Sequence, residues 1–189
     1  ALAFFIGFNN NQAYDRWWEA RKIWGMVVNT SRSWARQWLH YTSVSDHISL
    51  EVLKKLRLAA VHRQVAFVYA LKESLRETNK RKHHKFLSKE EIKRVDEESN
   101  TPNAILSEHA RDLQFAYEGG AINGFKFQEM NRMLNGICDE MGKCERIKNT
   151  VFPTTYNYYT RIFIFIFVIL EVQGTADDIG LWSIVTGSM

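Results

Sequence analysis

At 189 residues the chain is long enough for one helical domain with a sizeable core, and with Gly 10 and Pro 2 it accommodates long helices easily. Its formal net charge of +4 fits a membrane-facing surface or an acidic partner and decides neither, and two cysteines, Cys138 and Cys144, are too few and wrongly spaced for a thiolate metal site. A mean hydropathy of −0.31 would suit a soluble protein, yet the apolar residues gather at the two ends of the chain and the charge in the middle.

The opening stretch ALAFFIGFNNNQAYDRWWEAR runs from an apolar body through a collar of amides into interleaved tryptophan and charge. That is the order a helix shows on leaving a hydrocarbon layer, with Arg16, Trp17 and Trp18 as membrane-interface anchors. Phe4 and Phe8 fall at i and i+4 and share one face, either as core packing or as rings lining a passage. Ala1–Phe8 is too short to cross about 30 Å of hydrocarbon, which takes roughly 20 residues. Without an initiator Met or a basic flank it is not a signal peptide, and the chain is expected to be a piece of a longer membrane protein.

The helix is expected to continue past Arg21, since Trp17, Trp24, Val28, Trp34 and Trp38 recur at near-helical spacing. Of these, Trp24, Trp34 and Trp38 are assigned to helix packing. His40–Ser45 reads as a turn, and Ser45 or Asp46 as the cap of a second helix spanning about Asp46–Thr78. That helix alternates leucine and valine with Lys54, Lys55, Arg57 and Arg63, which predicts a basic outer face. The basic run Asn79–Lys85 is expected to be a solvated loop, with an anionic-lipid contact as the alternative. It lacks the interleaved aromatics and recognition helix that nucleic-acid binding would need, so no nucleic-acid partner is assigned. His83 and His84 are adjacent, diverge on a helix and show no carboxylate–histidine spacing for a metal.

Ser88-Lys89-Glu90-Glu91 is a capping box opening a short helix to about Val95. Glu90, Glu91, Asp96, Glu97 and Glu98 lack the spacing and glycine of a calcium loop and are read as solvated. Thr101-Pro102 marks the start of a helix that runs to Glu118 and is stopped by Gly119-Gly120. His109 within it is expected at the surface or in a polar network. A further helix follows to about Met141. Val151–Leu170, with the apolar heart IFIFIFVIL, reads as a membrane helix bordered by Tyr156, Tyr158, Tyr159 and Arg161, and EVQGTADD (171–178) as the turn after it. The many Lys and Arg between Arg16 and Lys148 put the middle on the cytoplasmic side, with Cys138 and Cys144 as reduced thiols.

GFNNNQAYDRWWEARKIWG (7–25), together with Cys144–Thr150, Phe152-Pro153 and NAILSEHARDLQFAYEGG (103–120), resembles the prokaryotic branch of the bestrophin family over residues 1 to about 182. The resemblance implies an all-α, long-helix bundle in which transmembrane helices continue into a cytosolic helical region and five copies surround a central pore. It divides one domain into the end of a pore-lining membrane helix (1–25), cytosolic helices (26–148) and returning membrane helices (149–189). It implies a pore neck at Phe4 and Phe8, and a cytosolic constriction at Phe125 or, alternatively, Ile122. This chain has Val151 where the usual form has proline, while Pro153 still restarts a helix. The family's acidic calcium-binding segment lies further on, so no cofactor is assigned within these residues.

The implied function is an ion channel subunit of the inner membrane, multi-pass, with itself, the lipid bilayer and small permeating ions as partners. Chloride or another anion is the family's usual cargo, and monovalent cations are the alternative for a prokaryotic member. A non-conducting helical membrane scaffold would use the same helices without an axial hole. An enzyme is not expected, because no nucleophile with a nearby base, phosphate-binding glycine loop or metal spacing is present.

Overall fold

The computed structural model describes the backbone of residues 2–150 and 154–179 and the side chains of 11–150 and 158–173. Among the described residues every regular element is helical: α1 (Leu2–Tyr41), α2 (Leu50–Leu75), a 3-10 turn (Lys82–Phe86), α3 (Lys89–Asp96), α4 (Thr101–Glu118), α5 (Gly124–Asn149) and α6 (Thr154–Ile179). The chain divides into two units, residues 1–19 with 149–189 and residues 20–148.

In α1, a 40-residue helix about 60 Å long, no proline interrupts the hydrogen-bond ladder. Its buried stripe is Ile23, Val27, Trp34 and Trp38. At about 100° per residue, Ile23 returns to within about 20° of Trp34, whereas Trp24 lies about 80° away. Trp24 is therefore 37% exposed and does not belong to the packed stripe expected of it, while Trp34 and Trp38 do. The core of the 20–148 unit is completed by Ile48, Leu53, Phe67, Leu71, Ile105, Leu113, Met130 and Ile137. Here α2 packs against α4 and the 3-10 turn, and α3 packs against α4.

The helix ends follow local chemistry. Ser88 accepts from the Glu91 backbone and the Glu91 side chain accepts from Ser88 N–H, so the expected capping box is present. The cap of α2 is Ser49, not Ser45 or Asp46, because Ser45 is drawn away to bond Ile48 and Gly119. The cap of α4 is Asn100, whose side-chain oxygen accepts from Asn103 N–H, which puts Thr101 and Pro102 already inside the helix. Gly119 closes α4 where expected, and α5 continues beyond Met141 to Asn149.

In the 1–19 with 149–189 unit, α6 carries the apolar run Ile162–Leu170, closed at its ends by Arg161 and Glu171. The expected turn at 171–178 is instead helix as far as Ile179, since Gly174 alone, without proline, does not break the ladder. Tyr158, Tyr159, Phe163, Phe165, Ile166, Ile169 and Leu170 are exposed on the single chain. Among the described residues no helix is long and apolar enough to cross a membrane.

Candidate pore-lining site

Phe4 and Phe8 lie one turn apart in α1, and their side chains fall outside the described residues. Further along the same helix Tyr14, Trp17 and Trp18 form an exposed aromatic cluster: Tyr14 stacks on Trp18 at 6.5 Å and 5°, and Trp17 leans on both. Arg16, expected as an anchor, is exposed beside them and has interactions of its own.

The α4–α5 turn is held rigidly. Gly119 N–H bonds Phe115 O at 2.9 Å, Gly120 N–H bonds Tyr117 O at 3.0 Å, and Ala121 N–H bonds Ala116 O at 2.8 Å. Gly120 has φ +75°, the left-handed region that favours glycine. Gly119 is needed for another reason: a Cβ there would lie 2.5 Å from Ile48 Cδ1. The α1–α2 linker then ties to the turn, with Ser43 N–H on Ala121 O at 2.9 Å and the Ser45 hydroxyl on Gly119 O at 2.5 Å. From the α5 side, Lys126 Nζ bonds Tyr41 O at 2.8 Å.

This scaffold separates the two candidate constriction residues. Ile122 is 4% exposed and belongs to the core, whereas Phe125, in the first turn of α5, is 86% exposed. One side chain is committed to packing within its own chain, and the other projects from a fixed turn.

Elsewhere in the same unit, α2, α3 and α4 are joined by ion pairs, those of Arg63 buried and those of Glu108 partly exposed. Arg63 donates to Glu91 at 2.7 Å and to Asp112 at 2.7 Å. Arg63 is thus buried rather than on the basic outer face, and Glu91 is not solvated as expected. Burial works upward on the Glu91 carboxyl, but Ser88 N–H and the Arg63 charge outweigh it, so its pKa falls. Asp112 shares the same guanidinium but lies among Glu91 and Glu108; desolvation dominates and raises its pKa. Glu108 accepts from Arg94 Nε–H at 3.0 Å, from Arg94 Nη2–H at 2.6 Å and from Arg111 at 2.7 Å.

Two histidines are buried: His109 takes the network alternative and not the surface one, and His83 departs from expectation. His109 is fully buried, its pKa pushed well below 6.5 by desolvation and by the Arg63 charge. His83, expected in a solvated loop, is buried on the 3-10 turn with Nδ1 3.2 Å from Glu73 Oε2. Neither arrangement has a signal in local spacing, because the partners come from other elements.

Residues 1–189 match the family model described as Bacterial/Fungal Bestrophin protein. The chain belongs to the bestrophin family. It is 28% identical over 183 residues to the voltage-dependent anion channel-forming protein of Nostoc sp., covering 96% of this chain and 58% of that protein. It is 31% identical over 172 residues to the voltage-dependent anion channel-forming protein YneE of Escherichia coli, covering 90% and 53%. The crystal structure of a bacterial bestrophin homologue from Klebsiella pneumoniae, a point mutant, superposes with a TM-score of 0.86 at 25% identity, covering 99% of this chain and 67% of that one. The chain thus spans a little over half the length of these curated relatives.

Proposed function

We propose that this bestrophin chain is the greater part of an ion channel subunit that passes small anions, five copies surrounding an axial pore. The observation that carries the reading is the bestrophin fold along nearly the whole chain, joined to relatives that bear the name of anion channel-forming proteins. In this reading α1 lines the axis, and Phe4 and Phe8 make two apolar rings one turn apart. An apolar ring narrow enough to lose its water is a gate, because an ion cannot shed hydration there without replacement ligands. The phenylalanine edge is positive, which partly compensates a passing anion. Phe125 is the residue of the cytosolic constriction. It is exposed on a rigid turn, whereas Ile122 is already used in the core. Conduction through apolar rings calls on no cofactor and no catalytic group.

The same reading places α1 and α6 in the inner membrane as parts of a multi-pass protein, with Arg16, Trp17 and Trp18 at its boundary. The basic 26–148 region then lies in the cytoplasm. A helix that lines a water-filled pore keeps one wet face, so it need not be apolar all round. The exposed aromatic and aliphatic side chains of α6 are what lipid or neighbouring copies would cover.

The full-length protein in planar bilayers under asymmetric KCl tests this. A current reversing near the chloride equilibrium potential, from a particle that native mass spectrometry counts as five chains, is the expected result. A reversal near the potassium potential rejects anion selectivity. A folded assembly that carries no current is the non-conducting scaffold.

A further inference from the structure

The 3-10 turn after α2 and the last residue of α3 bring together three side chains that conduction does not use. His83, His84 and Asp96 each offer one ligand atom, and these atoms lie within 4.8 Å of one another. His84 Nε2 is 3.0 Å from Asp96 Oδ1. Two ligands of a tetrahedral zinc ion, each about 2.0–2.2 Å from the metal, stand roughly 3.3 Å apart, so an ion replaces that hydrogen bond with little movement. The two imidazoles lie edge to face, 4.6 Å between centroids.

His83 supplies the second, independent observation. It is 6% exposed, and its Nε2 is buried with no hydrogen-bond partner. Its other nitrogen, Nδ1, is held by Glu73 Oε2, and Glu73 is itself fixed by Lys82 N–H on Oε1 at 3.0 Å. A carboxylate that takes the Nδ1 proton of a histidine leaves Nε2 as a lone-pair donor and sets the ring orientation, the arrangement that supports metal-bound histidines. Leaving a buried ring nitrogen unbonded is costly, and a metal ion would relieve that cost. A cavity of about 320 Å³ lined by Glu73, Thr78, Asn79, His83, Ser99 and Asn100 lies beside this histidine.

We propose that His83 Nε2, His84 and Asp96 bind one borderline divalent transition-metal ion, of which Zn²⁺ is the representative. Two nitrogens and one carboxylate suit zinc and its neighbours, and exclude calcium and magnesium, which take oxygen ligands. Water completes the fourth position. Arg81 lies 3.7 Å from Asp96 Oδ2, on the side of the carboxylate away from His84 Nε2, which meets Oδ1. The ion adds a coordinate clip between the 3-10 turn and the end of α3, which the His84–Asp96 contact already brings together.

The test uses tag-free, full-length protein stripped with a chelator and titrated with Zn²⁺ against a chromophoric competitor, with Mg²⁺ as control. The expected result is one Zn²⁺ per chain and none of the Mg²⁺. Affinity should fall at least tenfold in His84→Ala, in Asp96→Asn and in Glu73→Gln, the last acting through His83. His84 and Asp96 are partly exposed, with side chains 22% and 36% accessible, so both variants are expected to fold. A melting temperature raised by Zn²⁺ in the parent and unchanged by it in the His84→Ala/Asp96→Asn double variant supports the site independently. Equal stoichiometry and affinity in the double variant, or Zn²⁺ binding no tighter than Mg²⁺, overturns it.

Discussion

The indole of Trp34 donates its Nε1–H to Nδ1 of His109 at 3.2 Å, with the two rings edge to face at 83°. Both side chains are fully buried, and Trp34 continues edge-on into Trp38 at 6.0 Å. An imidazole that accepts at Nδ1 is neutral and carries its proton on Nε2. This contact ties α1 to α4 at the centre of the 20–148 unit and makes the charge state of one histidine part of the fold.

Acid should therefore loosen that unit. His109 has a folded pKa well below its ordinary 6.5, so below pH 6.5 the unfolded chain takes up a proton that the folded chain refuses. Stability is complete above that pH and declines as pH falls, at up to about 1.4 kcal/mol per pH unit, until the folded pKa is reached. Urea unfolding followed by tryptophan fluorescence between about pH 7.5 and pH 5.5 reads the slope. His83, also lowered by burial, adds to the same slope, so His109→Phe is expected to reduce the slope without removing it, whatever that variant's absolute stability.

Removing the shared cation should be more damaging than removing all three charges. Arg63→Met leaves Glu91 and Asp112 buried without their partner, and a loss of about 3–5 kcal/mol is expected. Adding Glu91→Gln, which retains the capping box, and Asp112→Asn is expected to recover most of it. Chemical denaturation of the two variants side by side checks the difference.

The α4–α5 turn offers a compensating pair. Gly119→Ala drives a methyl into Ile48 and is expected to cost about 1–3 kcal/mol. Ile48→Ala removes both carbons it would meet, Cδ1 and Cγ1, so the double variant should be less destabilised than the two singles combined, with a coupling of about 0.5–3 kcal/mol. Additive losses in a double-mutant cycle would mean that the turn does not depend on this contact.

Local signals in the chain were readable where one element decides its own fate. Ser88 and Glu91 cap α3 three residues apart, Gly119-Gly120 stops α4, and the tryptophan pair Trp34 and Trp38 repeats at one helical turn. Readings failed where phase or distant partners decide. Trp24 looks like a member of the same stripe until the helix angle to Trp34 is counted, and Ile23 takes its place. Arg63 resembles its exposed basic neighbours in sequence, but its partners are 28 and 49 residues away. His83 lies in a run of cations that reads as solvated, yet it is buried with its Nδ1 on Glu73, ten residues back. Of the candidate constriction pair, composition could not tell which side chain is buried; the fold puts Ile122 in the core and leaves Phe125 exposed.

The central claim is that apolar rings on α1 narrow the conduction path, and ion flux through proteoliposomes of the full-length protein carrying Phe4→Ala and Phe8→Ala together tests it most directly. The account predicts a flux raised about tenfold, equivalent to a barrier lowered by about 1.4 kcal/mol. Unchanged or lost flux from a still-folded pentamer would contradict it.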